Sequence, residues 1–313
     1  MLYFPRPLPD ELLGSLLGRA CRETGLTPTK LLFAITGERM YQSSVFLPTF
    51  LRRLASLTQS DVEYLLYGHS TFPYAVSFMP AKPAGQILGK ILSAQASKND
   101  YGSLMQTVVS GVPFRRKCDK CAEEELYKFG ITYWHRSHHL PGVHYCLNHR
   151  RRLNETGIPI RRISGALFHA MPHEIDGATT HLDVSEDLLS EVAVHSVKAL
   201  EYRGTHADTY FWLSRFRELA ESKGYVKSST FVATRLLAHD VLSAFGTRFL
   251  TEAGCNYTPD NPNAWPARLV RPCTKPEYSA PKHILLFTFL STCGNAASRV
   301  QYRKPGPKSK CQS

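Results

Sequence analysis

Apolar residues over the first hundred positions recur at helical spacing, broken by turn residues at regular intervals. Leu12, Leu13, Leu16 and Leu17 fall on one face just after Pro9, Asp10 and Glu11, which predicts a helix with Asp10 as its N-cap and Gly25 as its stop. Thr27 and Pro28 start a second helix, with Leu31, Leu32 and Ile35 on one side and Gly37 at its end. Residues 46–57 form a third apolar stretch, and residues 58–61 lead into a helix bearing Val62, Leu65 and Leu66. Residues 69–74 break the regularity. Residues 1–114 therefore read as a bundle of short helices.

Helical periodicity fades from 115 to 153, where cysteine, histidine and arginine crowd together. Residues 154–184 read as a connector holding a short strand pair. Helices resume over 185–298. One begins at Ser185 or Glu186 and carries Leu188, Leu189, Val192, Val197 and Leu200. A second runs over 208–223 and is closed by Gly224. A third, over 231–237, is capped by residues 228–230, and a fourth over 241–250 is opened by His239 and Asp240 and stopped by Gly254. The short step between the last two is compatible with a helix-turn-helix. Five prolines mark 255–280 as loop, and Pro281 suits the first turn of a helix over 282–290. A cationic tail, 299–313, closes the chain. The fold class expected is mainly α, with a helical N-terminal region, a central metal module and a C-terminal helical region.

Charge changes the picture. The 313 residues hold 38 Lys and Arg against 26 Asp and Glu, a formal net charge of +12, and 43% are hydrophobic. Such an excess predicts a polyanionic partner, because clustered cations release counterions from phosphates. Residues 1–9 contain three prolines and no apolar run of a signal peptide, and no stretch reaches the ~20 apolar residues of a membrane helix. A soluble cytoplasmic protein, nucleoid-associated when bound and without a membrane partner, is expected.

The chemistry concentrates in the central segment. Cys118 and Cys121 form a C-x-x-C knuckle; after 24 intervening residues Cys146 and His149 repeat the two-residue gap. That spacing lets three thiolates and one imidazole fill the four positions of a tetrahedral Zn²⁺, a closed structural site. His135, His138, His139 and His144 are further candidates, with His149 leading because it completes the second knuckle. Tyr133 and Trp134 read as packing over this module. Glu123, Glu124 and Glu125 point around a helix and read as a solvated face. The remaining cysteines, Cys21, Cys255, Cys273, Cys293 and Cys311, are expected to be free thiols. The chain holds no G-x-S-x-G, no phosphate-binding P-loop and no dinucleotide-binding glycine turn. No catalytic residues are assigned.

Four stretches carry a family resemblance. They are the opening from Phe4 to Leu16; His69 to Tyr74 with Phe78; the block from Cys118 and Cys121 through Tyr133, Trp134, Arg136 and residues 139–143 to Cys146 and His149; and residues 281–290. Together they resemble the TnsD/TniQ family, target-selecting subunits of multi-protein bacterial transposons. The resemblance implies a non-catalytic adaptor that recognises attachment-site DNA, or docks on an RNA-guided targeting complex, and recruits the AAA+ regulator TnsC. Members of the TnsD type extend well beyond this length with further C-terminal DNA-binding material. DNA contacts are expected from Arg115, Arg116, Lys117, Arg136, Arg150, Arg151 and Arg152 in the metal module, from Lys227, Arg235 and Arg248 in the C-terminal helices, and from Arg299, Arg303 and Lys304 in the tail. Residues 1–20 are the expected ATPase-docking segment. Two other classes fit parts of the sequence: a ββα-metal nuclease, which needs a free histidine and an open metal position, and an RNA-binding zinc protein.

Overall fold

A computed structural model describes residues 3–38, 44–160, 163, 167–204, 210–226, 232–271 and 277–293, apart from the side chains of 107 and 109. The described residues are mainly helical, as the periodicity predicts, with two small sheets in the middle of the chain.

The N-terminal helices are α1 (Leu13–Thr24), α2 (Pro28–Thr36), α3 (Leu51–Thr58), α4 (Val62–His69), α5 (Phe72–Val76), α6 (Ala81–Leu92) and α7 (Lys98–Ser110). Most of the local signals act as their chemistry dictates. Thr27 caps α2 by accepting from Lys30 N, and Gly25 and Gly37 end α1 and α2 in the left-handed conformation. Ser97 and Asp100 close a capping box on α7. Residues 69–74 do not simply break the pattern, since α5 forms there and packs against α7.

Asp10 does not cap α1. It takes a positive φ of 55° and sits two residues before the N-cap position, Leu12, which makes no side-chain cap. The helix start is satisfied by distant backbone instead: Leu12 N donates to Trp134 O at 2.9 Å and Gly14 N to Val45 O at 2.9 Å. The latter approach demands glycine, because a Cβ at Gly14 would lie 2.6 Å from Val45 Cβ.

In the central segment β1 (Phe114–Lys117) pairs antiparallel with β4 (Asn154–Pro159), which also takes β5 (Ala178–Thr179) on its other side. The strand pair expected in the connector is thus a three-stranded sheet that reaches back to the start of the metal module. Between its strands lie α8 (Asp119–Phe129) and the two-residue strands β2 (Tyr145–Cys146) and β3 (Arg151–Arg152), which pair with each other. Helix α8 corrects the expectation that regularity fades from 115. Its apolar face is short because the metal ligands and Glu125 occupy the inward positions, so periodicity misses it.

The C-terminal helices are α9 (Glu186–Glu201), α10 (Phe211–Ser222), α11 (Thr234–Glu252), α12 (Trp265–Val270) and α13 (Ala280–Thr292). Ser185 caps α9 as expected, accepting from Leu188 N at 3.3 Å. The expected helix-turn-helix step at His239 and Asp240 is not there. Helix α11 runs through both, and its break is at Gly246, with φ 72° and ψ 154°. His239 and Asp240 serve tertiary partners instead of a cap: His239 pairs with Asp260 and Asp240 accepts from Tyr225 Oη. The caps placed at 228–230 lie outside the described residues. The stretch 255–280, expected as loop, contains α12, where Pro266 occupies a first-turn position that needs no N–H donor.

One apolar core threads the helices, from Phe4 and Leu12 in the N-terminal segment to Leu290 in α13. Helix α13 packs along α9, and α5 touches both, tying the N-terminal and C-terminal helices. Cys21 and Cys255 are buried free thiols and Cys293 an exposed one, while Cys273 and Cys311 lie outside the described residues. No helix among the described residues is long and apolar enough to cross a membrane.

A buried ion pair anchors the first turn of the chain. Arg19 donates to Glu11 through Nε at 2.8 Å and Nη2 at 2.9 Å, and Leu8 N donates to the same carboxylate at 3.0 Å. Burial pushes the Glu11 carboxyl up, and the Arg19 guanidinium pulls against that shift. Both side chains are enclosed, at 6% and 0% exposure, so removing one partner leaves a buried unpaired charge. Arg19→Met should lower unfolding stability by about 3–5 kcal/mol in chemical denaturation. The double change Arg19→Met with Glu11→Leu should recover a large part of that loss. A single-variant loss no greater than that of an exposed pair would refute the anchoring role.

Candidate metal centre

The four predicted ligands converge. Cys118 stands in extended conformation at the N-cap of α8 and Cys121 follows in its first turn. Cys146 ends β2, and His149 lies in the turn before β3, where Arg150 takes a φ of 48°. The helix start at 118–121 points its positive end at the two thiols. The ligand atoms of all four residues lie within 4.8 Å of one another, the one such cluster of histidine, cysteine and carboxylate donors among the described residues.

The separations test the fit to a metal. His149 Nδ1 is 3.6 Å from Cys118 Sγ, 3.3 Å from Cys121 Sγ and 3.7 Å from Cys146 Sγ, and Cys121 Sγ is 3.7 Å from Cys146 Sγ. Tetrahedral bonds of about 2.3 Å to sulfur and 2.0–2.1 Å to nitrogen give edges of roughly 3.8 and 3.6 Å. The cluster can hold one metal ion with all four positions filled from the chain. Hydrogen bonding within the thiols holds Cys118 well below the usual thiol range and pushes Cys121 well above it. Three sulfurs this close share their protons unevenly until a cation replaces them.

Around the ligands stand residues that sequence reading misassigned. Glu124 Oε1 lies 2.9 Å from His149 Nε2, the nitrogen that faces away from the sulfurs. That hydrogen bond raises the His149 pKa and fixes which ring nitrogen turns inward. Glu125 is buried, accepts from Tyr133 N at 3.1 Å and contacts His135 Nε2. Of the acidic run, Glu123 and Glu124 are exposed as expected, Glu123 paired with Lys120 and Glu124 with His149, and Glu125 alone is interior. One clue was legible: Glu124 and Glu125 follow Cys121 by three and four residues, which places them one helical turn beyond a ligand.

The other histidines are not ligands. His135 sits between two carboxylates, Glu125 on Nε2 and Asp10 at 3.5 Å from Nδ1. Burial opposes its charge, but the hydrogen bonds to Asp10 and Glu125 win and raise its pKa to about 9. Burial also works against the Asp10 charge, yet His135, Arg136 and Ser137 hold its carboxyl well below the usual range. His138 is pushed down to about 3 by burial and by the neighbouring His135 charge. His139 accepts from Arg116 N at 3.0 Å, and burial pushes the pKa of both His139 and His144 well below the usual imidazole range.

Three arginines assigned to DNA are instead interior struts. Arg115 and Arg116 are 4% and 1% exposed. The Arg115 guanidinium lies 5.1 Å over the Trp134 ring and donates to Phe168 O at 3.0 Å. Arg116 donates to the carbonyls of Val143, Leu140 and Gly111. Burial brings both guanidinium pKa values down to about 10, so both remain charged at neutral pH. Arg136 donates to Asp10 Oδ1 at 3.1 Å, Tyr67 O at 2.6 Å and Ser70 O at 3.2 Å. A phosphate cannot reach these groups without dismantling the core. Trp134, at 2% exposure with Nε1 bonded to Ala170 O, is packing as expected.

Of the remaining cations, Lys117 pairs with Asp119 and Arg152 with Glu186 and Val184 O. Arg248 is exposed but pairs with Glu252. Arg150, Arg151 and Arg235 are exposed. Lys227, Arg299, Arg303 and Lys304 lie outside the described residues.

Two predictions follow from this geometry. Glu124→Gln should weaken metal affinity by about 10–100-fold in a chelator competition while leaving one metal bound at saturation, whereas Cys146→Ser should abolish the site. Unchanged affinity in Glu124→Gln would show that the carboxylate does not orient His149. Second, His135 gains charge stabilisation on folding. Because its folded pKa of about 9 lies above the ordinary 6.5, that contribution is complete below pH 6.5 and is lost as pH rises through 9. Denaturation midpoints should fall between pH 7 and 9.5, and His135→Phe should flatten that fall.

Residues 2–153 match the TniQ family model, a span that includes all four ligands and ends four residues past His149. A relative of similar sequence is the "Transposon Tn7 transposition protein TnsD" of Escherichia coli, 29% identical over 157 residues. That alignment covers 48% of this chain and 30% of the relative, so the chain spans under a third of the length of the protein it matches. Residues 2–153, with the complete cysteine and histidine tetrad inside them, are the part of this chain that is similar to the TniQ family.

Proposed function

We propose that the protein is a non-catalytic target-selection adaptor of a transposition system, acting in the cytoplasm at the nucleoid. In this reading it binds duplex attachment-site DNA, directly or through an RNA-guided complex, and recruits the AAA+ regulator TnsC. The observation that carries it is the TniQ match over 2–153 enclosing an intact ligand tetrad, joined by the likeness to TnsD.

The metal in this reading is one structural Zn²⁺. Three thiolates and an imidazole are the donor set of closed zinc sites, and thiolate-rich tetrahedra disfavour the hard cations magnesium and calcium. With every position taken from the chain, no coordination site is left for substrate or water. That argues against the ββα-metal nuclease reading, which needs an open position and a histidine free to act as base. The zinc instead fixes the start of α8 against the β2–β3 turn.

The DNA surface is narrower than the sequence suggested. Its candidates are the exposed Arg150 and Arg151 at the metal-module turn and Arg235 in α11. Lys227 and the tail cations Arg299, Arg303 and Lys304 are added from sequence alone. Residues 1–20 are unsuited to be a detachable ATPase arm. Leu12, Leu13, Leu16 and Leu17 are at most 2% exposed, so deleting that segment would remove the core and leave no surface intact to assay. The ATPase contact is therefore to be sought elsewhere by surface substitution.

Two measurements test the proposal. Duplex DNA affinity should fall steeply with salt, and Arg150→Glu with Arg151→Glu should weaken it at least tenfold. Those two charges should also reduce the slope of log K against log salt by about 2. A salt-independent affinity, or an unchanged slope in the double variant, would remove this surface. A pull-down should retain the cognate AAA+ ATPase on attachment-site DNA only when the protein is present. Strand cleavage by the purified protein with magnesium would overturn the adaptor reading.

A further inference from the structure

A cleft of about 480 Å³ opens beside the metal cluster, between α8, the 133–138 loop and the C-terminal end of α9. Its volume is within the roughly 300–1,000 Å³ of ligand-sized sites. Four carboxylates line it, Asp10, Glu124, Glu125 and Glu201, and the inner two are already matched: Asp10 by Arg136 and His135, Glu125 by His135. The outer two keep free capacity. Glu124 uses Oε1 on His149 and is 73% exposed, and Glu201 is exposed at the last residue of α9. The helix end adds to them, because the final carbonyls of α9 carry the negative pole of its dipole. Lys128, the cation at the rim, holds its ammonium over the Phe129 ring at 5.1 Å.

A second observation points inward. His138 lines the same cleft, is only 5% exposed, and makes no hydrogen bond among the described residues; its ring contact is with His135 at 4.7 Å. Its ring is not sealed off and keeps a nitrogen open to the cleft. Apolar walls complete the cleft, with Leu147, Val197 and Leu200 inside. On the outer face of α8, next to Glu124 and Lys128, Leu126 and Tyr127 are 39% and 96% exposed.

We infer that this cleft is a docking site for a cationic side chain, arginine or lysine flanked by apolar residues, presented by a partner polypeptide. The outer carboxylates and the α9 carbonyls supply acceptors for a guanidinium or ammonium, and His138 supplies a further ring nitrogen at depth. The exposed Tyr127 and Leu126 offer contact to flanking apolar residues, which a free polyamine lacks. Four carboxylates against Arg136, His135 and Lys128 leave the lining net acidic, which favours a cation over a phosphate inside the cleft.

The test is selection of a random dodecapeptide phage library on the full metal-loaded chain, followed by fluorescence anisotropy with the enriched peptides. Enriched sequences should carry Arg or Lys beside Leu, Tyr or another apolar residue. Their affinity should drop at least tenfold in Glu201→Lys, several-fold in Glu201→Gln and in His138→Gln, and at least tenfold when the peptide's basic residue becomes Gln. Helical content and metal stoichiometry, measured on each variant, separate a lost site from a lost fold. The inference is overturned if no peptide is enriched, or if the enriched peptides lack a basic residue. It is equally overturned if basic peptides bind all three variants as tightly as the native chain, or if spermidine displaces them with the affinity of the peptides themselves.

Discussion

The register between residues 8–15 and residues 133–137 is the constraint on which this fold depends. Backbone bonds run both ways across it, from Leu12 N to Trp134 O at 2.9 Å and from Arg136 N to Asp10 O at 2.8 Å, and Trp134 N donates to Ser15 Oγ at 3.0 Å. Charge then locks the pairing. Two consecutive carboxylates, Asp10 and Glu11, are turned into different surroundings by the left-handed conformation of Asp10, one to Arg136, Ser137 and His135, the other to Arg19. A slip of one residue would exchange these environments and leave each carboxylate without its cation, a penalty of several kcal/mol per buried ion. Ion pairs of this kind add little net stability compared with apolar packing, but they penalise every other register.

The metal cluster inherits its position from that register. Glu125 reaches His135 from the same helix that carries Cys121, and Glu124 on the next position holds His149. The chain order Cys118, Cys121, Glu124, Glu125 thus couples ligands, ligand orientation and the N-terminal segment through one short helix. Arg115 and Arg116 extend the coupling inward: β1 precedes the first ligand, and its guanidinium groups fasten to carbonyls at 111, 140, 143, 168 and 170. Arginine suits this work because it stays ionised when buried and its planar fork spans several carbonyls at once.

What was legible in the sequence was whatever is decided locally. Thr27 with Pro28, Gly25, Gly37 and Ser185 each mark a helix boundary through their own backbone chemistry, and the structure places those boundaries as predicted. The four ligands were legible because a two-residue gap is itself a geometric statement about a shared tetrahedron. What was not legible depended on partners far along the chain. Asp10 has the composition of an N-cap, and only the arrival of Arg136, 126 residues later, makes it an ion-pair acceptor. The arginines at 115, 116 and 136 look like a basic surface in one dimension, since a sequence does not say whether carbonyls or water will surround a guanidinium. Helix α11 shows the opposite failure. His239 and Asp240 carry a helix-start signature that Asp260 and Tyr225 absorb, while the true irregularity comes from Gly246, an inconspicuous residue with a positive φ.

Burial of the arginines changes what the net charge of +12 means. If all the central cations faced solvent, the metal module would be basic on every side. With Arg115, Arg116 and Arg136 inside and Lys117 and Arg152 paired, its exposed cations are Arg150 and Arg151 after the last ligand and Lys120 and Lys128 on α8. Close beside them the cleft carries Glu124 and Glu201, and Glu124 bonds His149, the residue before Arg150. Fields from exposed charges reach about 8–10 Å at physiological ionic strength, so the carboxylate of Glu124 and the guanidinium of its near neighbour Arg150 feel one another. A whole-chain excess of cations therefore does not make this segment uniformly basic, because carbonyls and carboxylates of the fold have already taken up most of its guanidinium groups.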